Sequence, residues 1–260
     1  MKIMYLNPVG ISDYDAFFAN TINKIKEKTT EVHIASLNST VGAFNHLELR
    51  TYQALVTGDI IKSVRQAATE KFDALIIGCF YDTALYDARE ISHDMIVVAP
   101  CHSSIEIALT VSNQFSIIVG RQKWINQMQK SIAEYGYSKK LSSFRSVDLS
   151  VDEFQKDIEI TNKKLMQAGK TAVDVDKAES LILGCTLEVG FHLKMAEELQ
   201  VPVIDPVVAS VKNAEYLATL KKQFGLRPSR KWGSSAPSEN ELEKYNVFPP
   251  YQFGNRIIIK

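Results

Sequence analysis

Cysteine is scarce in this chain: three among 260 residues, an odd number that supplies no disulfide framework and fits thiols kept reduced. A net charge is missing altogether. Thirty Lys plus Arg offset thirty Asp plus Glu, so no long-range field draws in a nucleic acid or an anionic membrane surface. No apolar run approaches the ~20 residues that cross a bilayer, and Met1–Pro8 reads as a strand rather than a signal peptide. Neither G-x-G-x-x-G nor G-x-x-x-x-G-K-S/T occurs, which removes the usual phosphate cradles. His33, His46, His93 and His192 are scattered, and Cys101 adjoins His102 directly, unlike the wider ligand spacing of zinc sites, so no metal is expected. These absences leave a cytoplasmic globular protein whose partner is a small molecule, with no nucleic acid and no membrane.

What is present is a rhythm. With 45% hydrophobic residues the chain can bury a sizeable core. Short apolar runs, Ile3–Leu6, Val32–Leu37, Ala74–Cys79, Ile96–Cys101, Phe115–Val119, Leu181–Cys185 and Val201–Ile204, alternate with helix-length segments. Continuous apolar runs of this length are strands buried on both faces, as in parallel sheets built from βαβ units. Phe17, Ile22 and Ile25, then Leu55, Ile60, Ile61 and Val64, recur at helical spacing. The second set of runs repeats the order of the first across a charged, helix-rich stretch from Val151 to about Ala172. The expected fold is α/β, with two pseudo-symmetric Rossmann-like lobes, each a mostly parallel sheet flanked by helices. Residues 1–104 with 206–260 form the first lobe and 105–205 the second, with the active site in the cleft between them. Asp205 and Pro206 read as the N-cap and first turn of a returning helix. The segment Gly225–Pro237, rich in turn formers and basic residues, reads as an irregular arm: a solvated tail or strap, or else a lid or subunit contact.

Two of the three cysteines occupy matching places, at the ends of Leu75-Ile76-Ile77-Gly78-Cys79 and Leu181-Ile182-Leu183-Gly184-Cys185. Either alone is explained as a small buried hydrophobe. As a pair they point to chemistry, because ligands of doubly wound folds bind at the carboxyl ends of strands. Glycine allows a close approach of backbone to ligand, and a following helix N-terminus would lower the thiol pKa. One thiolate and one thiol on opposite sides of a carbon beside a carbonyl suffice to invert it. The amides of Phe80 and Thr186 are candidate donors to the enolate oxygen, and the Thr186 hydroxyl serves equally as a helix cap. Cys101 and His102 also end an apolar run. His102 there either reads a ring carbonyl and tunes a thiol, or caps a helix while Cys101 packs in the core.

Gly78-Cys79-Phe80-Tyr81-Asp82, Leu183-Gly184-Cys185-Thr186, Val201-Pro202-Val203-Ile204-Asp205 and the opening strand with Asn7-Pro8 together resemble the aspartate/glutamate/hydantoin racemase superfamily, nearest its hydantoin/allantoin racemase-like branch. The resemblance runs from Met1 to about Tyr216. It implies two α/β lobes closing over the substrate, no cofactor, a homo-oligomer, and Cys79 and Cys185 as the two catalytic bases. It also nominates Asn7, Pro8, Phe80, Asp82 and Thr186 as substrate-binding residues, to which His102 is added from its place at a strand end. Amino-acid racemases of the superfamily typically follow the first cysteine with Asn-Thr and the second with Thr-His; here Phe80-Tyr81 and Thr186-Leu187 stand instead. Phe80 suits a flat uncharged ring, whereas Thr186 keeps the amino-acid pattern, and Ala99–Ser104 departs from the hydantoin branch. A hydantoin- or allantoin-type racemase is therefore the leading reading. The alternatives are an Asp/Glu-type racemase, a maleate isomerase-like enzyme, or a non-catalytic ligand-binding or maturation accessory protein of the same fold.

Overall fold

The computed structural model describes residues 1–38 and 42–260. It divides into two compact units, one of residues 1–78, 82–99 and 211–260, the other of 79–81 and 100–210. The first unit alternates β1 (Lys2–Asn7), α1 (Asp15–Ile25), β2 (Glu31–Ser36), α2 (Arg50–Thr69), β3 (Ala74–Ile77), α3 (Leu85–Ile91) and β4 (Ile96–Val98). The second carries α4 (Pro100–Val111), β5 (Phe115–Val119), α5 (Gln122–Glu134), β6 (Leu141–Ser146), α6 (Ile158–Asp174), β7 (Ser180–Leu183), α7 (His192–Leu199) and β8 (Val203–Ile204). The chain ends through α8 (Pro206–Phe224), α9 (Glu239–Tyr245) and β9 (Asn255–Ile259).

The strand order of the first sheet is β4-β3-β1-β2-β9, and that of the second is β6-β5-β7-β8. Read from its other edge, the second order is β8-β7-β5-β6, the winding of β4-β3-β1-β2. Both sets of four are parallel throughout. The fold is α/β with two mostly parallel sheets flanked by helices, and each sheet separately repeats the other's topology. Every residue of β3, β5 and β7 is buried, which is why these strands appear in the sequence as unbroken apolar runs.

Three features differ from the sequence reading. The run Ile96–Cys101 is not one strand: β4 stops at Val98, and Pro100 opens α4, where its missing N–H costs nothing. A lobe boundary after residue 104 would cut α4, which packs on β5, β7 and β8 and so belongs wholly to the second unit. At the other end the boundary falls at 210/211, within α8, rather than ahead of it. In α2 the buried stripe is Val56, Ile60, Val64 and Ala67, while Leu55 is largely exposed.

The C-terminal segment is more ordered than its composition suggests. β9 pairs antiparallel with β2 and closes that edge of the first sheet. Arg256 donates to both oxygens of Glu70, at 2.7 and 2.9 Å, and the Asn38 N–H donates to the Tyr251 hydroxyl. Upstream, Arg230 donates to the carbonyls of Arg89 and His93 and to Ser92 Oγ, and Arg227 pairs with Asp94. The arm is a strap fastened to its own unit, with Trp232 left 91% exposed. Among the described residues no helix is long and apolar enough to cross a membrane.

Candidate active site

Cys79 and Cys185 leave their sheets in the same way. The Gly78 N–H donates to the Leu6 carbonyl of β1 at 2.8 Å, and the Gly184 N–H donates to the Ile118 carbonyl of β5 at 2.7 Å. Each glycine thus adds a last ladder bond beyond β3 or β7, and the cysteine after it is the first residue free of the sheet. The second unit contains both cysteines, Cys185 buried and Cys79 partly so, and neither forms a disulfide.

The glycines are required by packing within the protein. A Cβ on Gly78 would lie 2.7 Å from the Tyr5 ring, and one on Gly184 would lie 2.5 Å from the Ile118 carbonyl oxygen. The expectation of helix N-termini directly after the cysteines needs correction. α3 starts only at Leu85, and Cys185 leads into a single 3₁₀ turn, Thr186–Glu188, well ahead of α7. Because a helix macrodipole acts over its first turn only, it contributes little at either sulfur. Instead, the segment after Cys79 turns through two non-glycine residues of positive φ, Asp82 at +51° and Ala84 at +59°. Backbone held in this sparsely populated region recurs at functional sites.

The remaining nominated residues divide between the units. Phe80, Thr186 and His102 belong to the second, Asn7, Pro8 and Asp82 to the first. Phe80, Thr186 and Asp82 are buried, as are Asn7 and Pro8 at the carboxyl end of β1. His102 lies on α4 with Nδ1 3.3 Å from Glu106 and its ring edge-on to Tyr135, while Cys101 is enclosed in the core beside it. Asp205 is the N-cap of α8, its Oδ1 accepting from the Val207 and Val208 amides at 2.9 and 3.2 Å. Among the described residues no group of three or more His, Cys, Asp or Glu is arranged to hold a metal ion.

Two carboxyl groups were not singled out by sequence reasoning. Asp15, wholly buried at the start of α1, accepts from Asn7 Nδ2 at 2.8 Å and from Asn255 Nδ2 at 2.9 Å. It fixes the Asn7 amide and ties the end of β1 to β9. Nothing in the DYDAFF stretch marks this aspartate among its neighbours, since its partners are remote in sequence. Asp15→Ala leaves the buried Asn7 amide without its acceptor, at about 1–3 kcal/mol of stability, and also frees the half-buried Asn255 amide, which water can partly satisfy. Urea unfolding of the variant should show that loss, and a midpoint within error of the parent's would contradict it. The second group is Glu188, which ends the 3₁₀ turn after Cys185. It is completely buried, with no hydrogen-bond partner on either carboxyl oxygen among the described residues. The one sequence signal was a lone carboxylate between Leu187 and Val189.

Comparison with known proteins gives this geometry a context. The Asp/Glu/Hydantoin racemase family matches residues 16–214. A hydantoin racemase of Paenarthrobacter aurescens is 31% identical over 242 residues, covering 93% of this chain and 99% of that protein. A hydantoin racemase of a Pseudomonas species (strain NS671) is 32% identical over 186 residues, covering 72% and 74%. Among solved structures, the allantoin racemase from Klebsiella pneumoniae superposes with a TM-score of 0.84 over 96% of this chain and 99% of that one, at 22% identity, a likeness of fold. The chain belongs to the Asp/Glu/hydantoin racemase family.

Proposed function

We propose that this protein is a cofactor-independent racemase or epimerase that inverts a carbon beside a carbonyl, with Cys79 and Cys185 as its acid/base pair. The observation that carries the reading is the correspondence of the two Gly-Cys pairs, each following the matching strand of a like-ordered sheet after the same ladder bond. One sulfur, as thiolate, takes the proton from the stereocentre and becomes a thiol. The electron pair left on carbon delocalises into the carbonyl, and the other thiol protonates the opposite face and becomes a thiolate. The two protonation states end exchanged, and proton transfer with solvent restores the starting form. The amides of Phe80 and Thr186 are our candidates for holding the enolate oxygen.

A hydantoin- or allantoin-type ring is the substrate we favour. Relatives at 31% and 32% identity are hydantoin racemases, and a buried phenyl group beside Cys79 suits an uncharged ring better than a zwitterion, whose two charges would each need a partner. The test is turnover of enantiopure 5-methylhydantoin in deuterated water, with allantoin and L-glutamate in parallel. Optical rotation should decay while one deuterium enters at the stereocentre per inversion. Decay without deuterium entry, or no decay with any of the three, would overturn the assignment.

A further inference from the structure

In the first sheet the chain passes from β1 to β2 on one side and then crosses to β3 on the other, so the winding reverses between β1 and β3. Open α/β sheets take their ligands at such reversals, outside the carboxyl ends of the strands. Asn7 and Gly78 stand there side by side: Leu6 pairs with Ile77, and the Gly78 N–H donates to the Leu6 carbonyl at 2.8 Å. Cys79 is the next residue. Asn7 is only 4% exposed. Its Nδ2 donates to Asp15 Oδ1 at 2.8 Å, and Asp15 Oδ2 accepts from Asn255 Nδ2 at 2.9 Å. A carboxylate only accepts, so it selects the nitrogen end of each amide. The Asn7 amide is therefore held with its nitrogen toward the start of α1 and its oxygen turned away, and among the described residues no donor reaches that oxygen. A buried amide oxygen without a donor is one partner short.

We propose that Asn7 accepts a ring N–H of the substrate through Oδ1, and that Asp15 is the positioning residue that makes it an acceptor, clamped in turn by Asn255 of β9. The inference rests on the reading of this site as one for a hydantoin-type ring. Such a ring carries two N–H donors, at N1 and N3. A buried acceptor rejects an analogue that has lost the donor, because its own oxygen is then left unpaired. An amide free to turn would offer either its NH₂ or its oxygen after a half rotation. The Asp15 carboxyl removes that choice, and with both of its oxygens occupied it does not turn either. Asn255 thereby gives the last strand of the chain, 240 residues beyond Asp15, a part in presenting a residue of the first.

The experiment is calorimetric titration of the full chain with hydantoin, 1-methylhydantoin and 3-methylhydantoin, in the parent, Asn7→Ala and Asp15→Ala. One of the two N-methyl rings should bind the parent at least about tenfold more weakly than hydantoin. That ratio should fall toward one in Asn7→Ala, which has no acceptor, and in Asp15→Ala, whose Asn7 amide is free to turn. Asn7 keeps its size in Asp15→Ala, so a merely steric cost of the methyl group survives there, and a uniform loosening of the site leaves the ratio unmoved. Equal binding of the three rings by the parent, binding of none of them, or an undiminished ratio in either variant would overturn the proposal. The parent and Asn7→Ala decide the matter even where Asp15→Ala does not fold. Hydantoin itself has no stereocentre, so its binding needs no inversion. A parent that discriminates among the rings but does not invert 5-methylhydantoin keeps this proposal and loses the catalytic reading; one that inverts it and binds the three rings alike does the reverse.

Discussion

Serine in place of Cys79 or Cys185 should remove inversion of a chiral hydantoin while leaving the fold intact. A hydroxyl is far less acidic than a thiol, so the substituted side neither stores a base near neutral pH nor delivers a proton readily. Loss of one positioned acid/base group is typically worth about 10²–10⁴-fold in rate. The two single variants should not be equivalent. Each retains one thiol, and that thiol still exchanges the proton of the enantiomer whose hydrogen faces it. Cys79→Ser and Cys185→Ser should therefore catalyse deuterium exchange without inversion, each for the opposite enantiomer. The measurement is proton NMR exchange alongside polarimetry on both enantiomers. Cys101→Ala provides the comparison, since Cys101 lies enclosed in the first turn of α4. Parent-like inversion in either serine variant would sink the two-thiol mechanism, and exchange of the same enantiomer in both would remove the opposed-face assignment.

The elements that carry the two cysteines were legible because burial writes itself into composition. β3, β5 and β7 are enclosed on both faces, and only a continuous apolar run survives there. β6 and β9 were not, for the converse reason. β6 is half-buried, with Ser143 bonded to Ser116 and to Asp176, and β9 is the edge strand beside β2 in the first sheet. An edge strand is specified by its neighbour more than by its residues. The same division holds at the candidate site. Gly-Cys repeats are a local pattern and can be read directly. The Asn7–Asp15–Asn255 bridge joins residues from opposite ends of the chain, and the turn after Cys79 depends on dihedral angles that Asp82 and Ala84 do not advertise. Even the glycines were legible only as glycines. Their reason, the Tyr5 ring in one sheet and the Ile118 carbonyl in the other, appears once the strands are neighbours.

That reason gives the second large effect. Gly184→Ala should destabilise the protein and displace Cys185 together, and more severely than Gly78→Ala. The obstruction at Gly184 is main chain: the new Cβ would sit 2.5 Å from the Ile118 oxygen and 2.8 Å from Val119 Cγ1. That oxygen already accepts the Gly184 N–H at 2.7 Å, so moving it away breaks the last bond of the β5–β7 ladder. At Gly78 the obstruction is the Tyr5 ring, a side chain, although its freedom is limited by burial and by Phe18 with ring centroids 5.0 Å apart. Overpacking a close-fitted core costs about 1–3 kcal/mol, and Gly184→Ala belongs at or above the top of that range, with Gly78→Ala nearer the bottom. At this chain length roughly 3 kcal/mol corresponds to a fall of about 5–10 °C in Tm. Turnover should fall further than stability, because the residue next to the substitution is the proposed base, and a shift of ~1 Å at a reacting group costs on the order of 10²-fold. Thermal unfolding and hydantoin inversion on the same samples separate the two contributions. A Gly184→Ala protein with parent-like Tm and rate would show that the ladder end yields freely and that the glycine before Cys185 has no part in placing it.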